Sequence, residues 1–201
     1  MNKIRLFGVL VAIFAALPSY CQDSASIIEK TAAAVSKPNG ITAYFDLKGS
    51  SYGNTSGYIN VKGDMFHIAI KEAEVWFDGK TQWTYVKDTQ EVNVVDATEA
   101  QAQSMNPYHF INMYKNGYSS SVKEKTGCYE IHLVADNDKT RVQEVYIETD
   151  KTSYIPQKIK MLLSGTWNIL TVTDFKTSKV SDSTFRFSQS DYPDAEVIDL
   201  R

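Results

Sequence analysis

Hydrophobic and polar residues alternate with a period of two along most of the chain after Gly40, the pattern of half-buried β-strands. Trp83 and Tyr85 point to one face of their predicted strand, whereas Gln82 and Thr84 point to the other. Strands are predicted at Ile41–Lys48, Tyr58–Val61, Met65–Lys71, Glu74–Phe77, Thr81–Val86, Glu91–Val95, Ser120–Lys125, Tyr129–Ala135, Gln143–Thr149, Pro156–Leu163, Asn168–Lys176, Thr184–Phe187 and Glu196–Leu200.

Turn residues separate these segments. Asp78-Gly79-Lys80 connects two strands as a hairpin, because an Asp-Gly pair readily adopts the backbone angles of a tight turn. The polar, glycine-flanked segment Ser50–Gly57 is predicted as a longer turn. Short connections between consecutive strands favour one antiparallel meander.

A helix is predicted at Asp23–Ser36, ahead of the first strand. Ser26 and Glu29 have the spacing of a capping box, and Lys37-Pro38-Asn39-Gly40 ends the helix with strong breaker residues. Its apolar face consists of Ile27, Ile28, Thr31 and Val35.

Residues 96–117 interrupt the β pattern and predict central helices, whether one or two. Thr98–Met105 contains good helix formers, and Asn106-Pro107 has the form of an N-cap followed by proline at the first helical position. The predicted fold class is therefore mainly β (α+β). It is a single domain with one antiparallel sheet, and the N-terminal and central helices cover one face of that sheet.

The first residues have the charge and hydropathy pattern of a secretory signal peptide. Lys3 and Arg5 precede the uncharged apolar run Leu6–Leu17, which is too short to span a bilayer as a helix. Cleavage is predicted after Cys21, which divides the chain into a signal peptide, 1–21, and one domain, 22–201. In the alternative interpretation Cys21 is the lipidated first residue of a lipoprotein, although Tyr20 is not the small residue that such a signal has before the cysteine.

Composition narrows the function classes. The chain has 201 residues, is 43% hydrophobic and carries a formal net charge of −3, without a basic block that would bind nucleic acid. After the predicted cleavage only Cys128 remains, so no internal disulfide is expected. A large apolar core must then stabilise the exported domain.

Motifs that suggest catalysis or a cofactor occur in the wrong context. Gly49–Gly53 matches the G-x-S-x-G nucleophile elbow around Ser51, but the residues after it continue the turn and lead into a strand rather than a helix. The histidines form no metal-binding pair, and Cys128 and His132 lie about 13 Å apart along one strand at ~3.3 Å per residue. We therefore expect no catalytic residues, no metal and no cofactor.

Several segments resemble the periplasmic lipoprotein-carrier family of LolA-like proteins, over roughly residues 24–201. Phe77–Tyr85, with its Asp-Gly-Lys-Thr-x-Trp-x-Tyr stretch, is the most specific of them. The others are Gly57–Lys62, Met65–Ile68, Glu91–Val94, Asn106–Ile111, Ile155–Ile159, Phe185–Phe187 and Val197–Asp199.

The resemblance implies an incomplete β-barrel, a half-barrel, with helices closing its concave face. Such a protein binds the acyl chains of outer-membrane lipoproteins and carries them across the periplasm as a monomer, and it makes or breaks no bond. Its partners would be acylated lipoproteins, an inner-membrane lipoprotein-releasing ABC transporter and an outer-membrane acceptor. Each buried CH₂ is worth roughly 0.8 kcal/mol, so an anchor with several chains needs a carrier to cross water.

The expected acyl-binding cavity is lined from the sheet and from the helices that close it. The candidate lining residues on the sheet are Phe66, Ile68, Trp83, Tyr85, Val92 and Val94, and those on the closing helix are Phe110, Ile111 and Tyr114. Members of the family often carry a basic residue, linked to closure and release, just after the strand that corresponds to Tyr58–Lys62. Gly63 and Asp64 stand there in this chain, which leaves the release mechanism open.

Three alternatives stay open beside the carrier. A periplasmic binder of free lipid, glycolipid or another hydrophobic ligand would use the same fold. A sensor of mislocalised lipoproteins would need a further signalling domain, for which residues 22–201 offer little length. A hydrolase would depend on Ser51.

Overall fold

A computed structural model describes residues 20–50, 53–96, 115, 117–137 and 139–201. In these residues the alternating pattern forms twelve β-strands, preceded by one α-helix. The elements are α1 Tyr20–Val35, β1 Ile41–Ser50, β2 Gly53–Lys62, β3 Met65–Ile70, β4 Ala73–Phe77, β5 Thr81–Val86, β6 Glu91–Asp96, β7 Tyr118–Glu124, β8 Cys128–Ala135, β9 Val142–Asp150, β10 Pro156–Leu163, β11 Thr166–Thr177, a 3₁₀ helix Asp182–Phe185 and β12 Glu196–Asp199.

All twelve strands form one open sheet. Strands β1–β6 are a meander and β7–β11 are a second one, and antiparallel pairing of β1 with β11 joins the two. β12 then returns to pair with β6 in parallel. The prediction of a mainly β, antiparallel fold is confirmed. The single meander is wrong at the two places where strands far apart in the sequence meet, because period-two alternation carries no information about such partners.

One face of the sheet, here called the inner face, packs against α1. Ile27, Ile28 and Val35 of the helix are buried in the main core, as the predicted apolar face requires. Thr31 is also fully buried, and its hydroxyl donates to the carbonyl of Ile27 at 2.9 Å and lies 3.4 Å from the Thr149 hydroxyl. The sheet contributes inward residues from β1–β4 and β8–β10 to this core.

The opposite, outer face has an apolar core of its own at β5 and β6. Residues Asp182–Ala195, here called the C-terminal segment, fold over this face. Their 3₁₀ helix contacts β3 and β4, and Phe187, Tyr192 and Ala195 pack on β5 and β6. The second core consists of Val92, Val94 and Ala195, with Trp83, Tyr85, Phe187 and Tyr192 packed around them. The apolar side of the chain therefore changes from the inner face at β4 to the outer face at β5.

Two predicted local structures are wrong. Ser50–Gly57 is mostly extended rather than a turn, because Phe45 pairs with Gly57 and Leu47 with Thr55, so the ladder between β1 and β2 continues beyond the predicted strands. Thr184–Phe187 is not a strand. The Ser181 hydroxyl caps a 3₁₀ helix by accepting from the N–H of Ser183 at 3.4 Å, and that turn buries Phe185 completely.

Several predictions concern residues outside the described ranges. These are the apolar signal segment, Ser51 of the elbow motif, and the central helices with Phe110, Ile111 and Tyr114. Within the described part of the chain, no helix has the length and hydropathy needed to cross a bilayer.

Gly57 is predicted to be essential for pairing of β2 with β3. A Cβ atom at this position would collide with the carbonyl oxygen of Ala69 and lie 2.9 Å from Cγ2 of Ile70. We expect Gly57→Ala to lower the free energy of unfolding by about 1–3 kcal/mol, measured by urea denaturation, because the strands would have to move apart. Ser56→Ala, a change at the exposed neighbouring position, is the control and should have almost no effect. Equal stability of the two variants would contradict the prediction.

Candidate hydrophobic ligand site

A pocket with a wholly apolar lining lies on the inner face, where the end of α1 meets the middle of the sheet. It is bordered by α1, the two strands of the β1–β2 hairpin, and β10 and β11 from the other half of the chain. Its lining residues are Val35, Ile41, Ala43, Phe45, Ile59, Val61, Pro156, Ile159, Leu170, Val172 and Phe175.

Strand register explains how both meanders contribute to one pocket. Ala43 on β1 is opposite Ile59 on β2 and opposite Phe175 on β11, so the three side chains share the inner face. An irregularity in the β1–β11 ladder lies beside Ala43, where Phe45 pairs with Val172 instead of Thr173. This extra residue in β11 turns both Val172 and Phe175 inward, although their spacing of three breaks the alternation.

The pocket is narrow as it stands. Its cavity volume is about 50 Å³, whereas sites that enclose drug-sized ligands typically hold roughly 300–1,000 Å³. The strands around it are fixed by backbone ladders, but α1 is held on the sheet by side chains, with Val35 in the wall of the pocket. In this arrangement the pocket is too small to enclose a drug-sized ligand.

Contacts at the turn between β9 and β10 hold α1 next to this pocket. Nζ of Lys30 on α1 lies 3.5 Å from the Tyr154 hydroxyl and 5.1 Å from the centre of its ring. Tyr154 has a φ of 57°, an uncommon value for a bulky residue, and its ring stacks on Tyr129 at a centroid distance of 6.2 Å. Backbone and hydroxyl donors of Ser153 and the backbone of Thr152 stabilise the Asp150 carboxylate of this turn and lower its pKa.

The six candidate lining residues on the sheet divide between its two faces. Phe66 and Ile68 lie on the inner face, Phe66 fully buried in the main core and Ile68 half-buried against it. Trp83, Tyr85, Val92 and Val94 lie on the outer face, in the second core. None of the six lines the apolar pocket.

The division follows from register. Trp76 pairs with Trp83, which pairs with Val94, so these side chains share one face. Phe66 belongs to the other face, because it pairs with Phe77 and Phe77 with Gln82. The inward positions of β1 and β2 could be identified from alternation alone, but their pairing with β11 and β10 could not.

Glu74 is an enclosed charged group of the outer face, with a side chain that is 13% exposed. Its carboxylate accepts from Nε2 of His67 at 3.3 Å and from the Tyr192 hydroxyl at 2.9 Å, and Nζ of Lys87 lies 3.2 Å away. Burial by itself raises the pKa of Glu74, but these three partners together outweigh it and lower that pKa to about 2. Burial and the bond to Glu74 raise the pKa of Tyr192.

An aromatic row surrounds this carboxylate and attaches the C-terminal segment to the sheet. The His67 ring stacks on Trp76 at a centroid distance of 5.1 Å. Trp76 in turn meets the edges of Phe187 and Tyr192 at 5.6 and 5.5 Å. Glu74 therefore joins β4 to the C-terminal segment through Tyr192, which makes the network structural in the first instance.

Metal-binding geometry does not occur in the described ranges, where no three His, Cys, Asp or Glu side chains come together. The inner-face pocket has no ionisable lining residue either. What the pocket can do chemically is exclude water from an apolar ligand.

Comparison with known proteins identifies a family. The family model described as "Outer membrane lipoprotein carrier protein LolA" matches residues 14–165, about three quarters of the chain. No curated protein matches the chain.

Solved structures match the chain at low sequence identity. A crystal structure of an uncharacterized conserved protein from Thermus thermophilus has a TM-score of 0.58 and 12% identity, over 87% of this chain and 98% of that chain. A LolA superfamily protein from Nitrosomonas europaea gives 0.46 and 13%, over 82% and 97%. The lipoprotein LppX of Mycobacterium tuberculosis gives 0.44 and 9%, over 77% and 97%. Of these three, the first alone is similar enough to show a common fold.

The ionised Glu74 carboxylate, which accepts a hydrogen bond from Tyr192 of the C-terminal segment, should make the free energy of unfolding fall at acidic pH. Its folded pKa of about 2 lies below the ordinary 4.5, so ionised Glu74 stabilises the fold above pH 4.5 and this contribution is lost as the pH falls toward 2. We expect Glu74→Gln to lower the free energy of unfolding by about 1–3 kcal/mol at neutral pH and to flatten its decline between those two pH values. Urea denaturation at a series of pH values measures both effects.

Glu124→Gln is the matched control for Glu74→Gln. Glu124 also forms an ion pair, with Lys151 at 2.6 Å, but its side chain is 70% exposed. Exposed pairs contribute little, so this variant should keep both the stability and the acid decline of the unmodified protein. An acid decline that is equally steep with and without Glu74 would contradict the assignment.

Proposed function

Since the chain belongs to the family of the outer membrane lipoprotein carrier protein LolA, we propose that it is a carrier of acylated polypeptides. It encloses their acyl chains on the inner face of the sheet and transfers lipoproteins to the outer membrane. The observation that carries this proposal is the wholly apolar pocket beneath α1. Such a pocket binds by water exclusion and offers no group for bond chemistry, so the proposed protein is a carrier and not an enzyme.

The cellular setting forms part of the proposal. Residues 1–21 act as a signal peptide cleaved after Cys21, and residues 22–201 work in the periplasm as one domain. An inner-membrane lipoprotein-releasing ABC transporter loads the protein, and an outer-membrane acceptor unloads it. Neither transfer step involves nucleic acid.

The closed state of the proposed carrier is a half-barrel. The twelve-stranded sheet curves around the ligand, and α1 and the predicted central helices within residues 96–117 close its concave side. Phe110, Ile111 and Tyr114 then meet the ligand from the helical side. Phe66 and Ile68 continue the apolar surface from the pocket across β3.

Physical requirements of transport agree with a pocket that is narrow at rest. Each methylene moved out of water contributes roughly 0.8 kcal/mol, so a site already open to several chains would hold them too tightly to release. Part of that energy must instead be spent on moving α1 off its packing and away from the Thr31 and Lys30 contacts. Affinity is then moderate, as a carrier between two membranes needs.

A carrier of free lipid is the second candidate, because an apolar lining recognises acyl chains whatever they are attached to. Mass spectrometry of the exported protein, purified gently from its own periplasm, separates the two. A stoichiometric lipoprotein passenger supports the first candidate, and free phospholipid or glycolipid supports the second. A protein that is empty and also takes up no acylated peptide contradicts both.

Filling the pocket should weaken ligand uptake without unfolding the protein. Ala43 is its smallest lining residue, so Ala43→Leu places a larger side chain between Ile59 and Phe175. We expect at least about tenfold weaker binding of a dipalmitoylated peptide, measured by fluorescence titration, as burial of even two methylene groups is lost.

Thr171→Leu is the control for the filled pocket. Thr171 is exposed and pairs with Asp46 in the same two strands, but on the outer face. The Thr171→Leu substitution introduces the same leucine side chain outside the pocket, so it should leave binding of the peptide unchanged. If the Ala43 and Thr171 variants bind the peptide equally well, the pocket is not the acyl site.

A further inference from the structure

The inner face changes from apolar to polar across neighbouring strands. Along one row of paired residues Ile59 on β2 is followed by Ile68 on β3 and Val75 on β4, and then by Thr84 on β5 and Asn93 on β6. In the next row, Phe77 on β4 is followed by Gln82 on β5. The two rows thus lead from the apolar side chains of β2–β4 to three polar residues on β5 and β6. These are Gln82, Thr84 and Asn93, here called the polar strip.

The polar strip is uncharged and retains unused hydrogen-bonding capacity. Nε2 of Gln82 donates to the Thr84 hydroxyl at 3.1 Å. The Asn93 amide has no hydrogen-bond partner among the residues that the structure describes, and all three side chains are half-buried. Amide and hydroxyl groups offer donors and acceptors together, so the strip can pair with a neutral ligand that also has both.

The charges on the inner face of β5 and β6 favour a neutral polar group over a phosphate. By register, the inner-face positions of β5 and β6 in the described structure are Gln82, Thr84, Val86, Glu91, Asn93 and Val95. None is a lysine or arginine. A phosphate group would find no cation at these positions, and the one charged residue among them, Glu91, is acidic.

The distance between the pocket and the polar strip suits a ligand with an apolar chain and a polar end that lies across the strands. Neighbouring strands are ~4.8 Å apart, so Asn93 lies roughly 19 Å from Ile59 along the row. Ile68 and Val75, both half-buried, provide apolar surface between the pocket and the polar strip. A ligand that extends from the pocket over Ile68 and Val75 would place its polar part near Thr84 and Asn93.

We propose that the polar strip binds the peptide backbone next to the acylated residue of a lipid-modified polypeptide. This inference rests on the proposed carrier function and adds to it the part of the ligand that is recognised. A peptide backbone is neutral and carries an N–H donor and a C=O acceptor in each residue, which matches Gln82, Thr84 and Asn93. The strip then selects acylated polypeptides over phospholipids, whose chains are alike but whose phosphate has no partner there.

The test measures the affinity of one double variant for two probes, a dipalmitoylated peptide and palmitate. Thr84→Val combined with Asn93→Leu keeps approximate size and removes the hydrogen-bonding groups. We expect affinity for a short dipalmitoylated peptide to fall about tenfold, since each lost hydrogen bond is worth ~0.5–1.5 kcal/mol, while affinity for palmitate stays the same. Thr84→Ser, which keeps the hydroxyl, should bind both probes as the unmodified protein does.

A second variant covers the case in which the double variant is unstable. Asn93→Ala removes the amide without adding a charge, and it should weaken binding of the peptide several-fold without changing that of palmitate. Unchanged peptide affinity in these variants, or equal loss for both probes in variants with unchanged unfolding midpoints, overturns the inference. Failure of the carrier function itself looks different. If the protein carried no acyl chains, the unmodified protein would bind neither probe, and if it carried free lipid, mass spectrometry of the exported protein would find lipid in place of a lipoprotein passenger.

Discussion

The pairing of β1 with β11 is the contact on which the rest of the structure depends. It joins two meanders that would otherwise be separate open sheets, and it brings residues near position 43 beside residues near position 175. Each meander supplies only part of the pocket wall, so the pocket exists only when this ladder is formed. The irregularity beside Phe45 is part of the same constraint, because it turns Val172 and Phe175 toward one face.

Much of the fold could be predicted from local sequence, because strands, hairpins and the apolar face of α1 are encoded by neighbours. The β3–β6 hairpins and the burial of Ile27, Ile28 and Val35 agree with that reasoning. The candidate site agrees less well. Alternation correctly puts Trp83 and Gln82 on opposite faces, but whether the apolar side meets a ligand or another segment depends on residues about a hundred positions later. Tyr192 and Phe187 occupy that side.

The apolar pocket and the Glu74 network lie on opposite faces of the sheet. The pocket on the inner face has only apolar side chains, whereas the outer face carries the Glu74 network and, on β8–β9, the bond from His132 to Glu144 at 2.7 Å. Electrostatic contributions to stability and water exclusion at the ligand site are thus separated by the sheet. A change of ligand on the inner face need not disturb the Tyr192–Glu74 bond and the aromatic row that hold the C-terminal segment.

The change of apolar face between β4 and β5 also leaves the molecule with two separate apolar cores. The second core is small and depends on the C-terminal segment, so we expect its local stability to be lower than that of the main core. Backbone amides of the C-terminal segment would then exchange with solvent at a lower free energy than those of β8 and β9. The sheet is a wall shared by two apolar compartments, one covered by α1 and the other by the C-terminal segment.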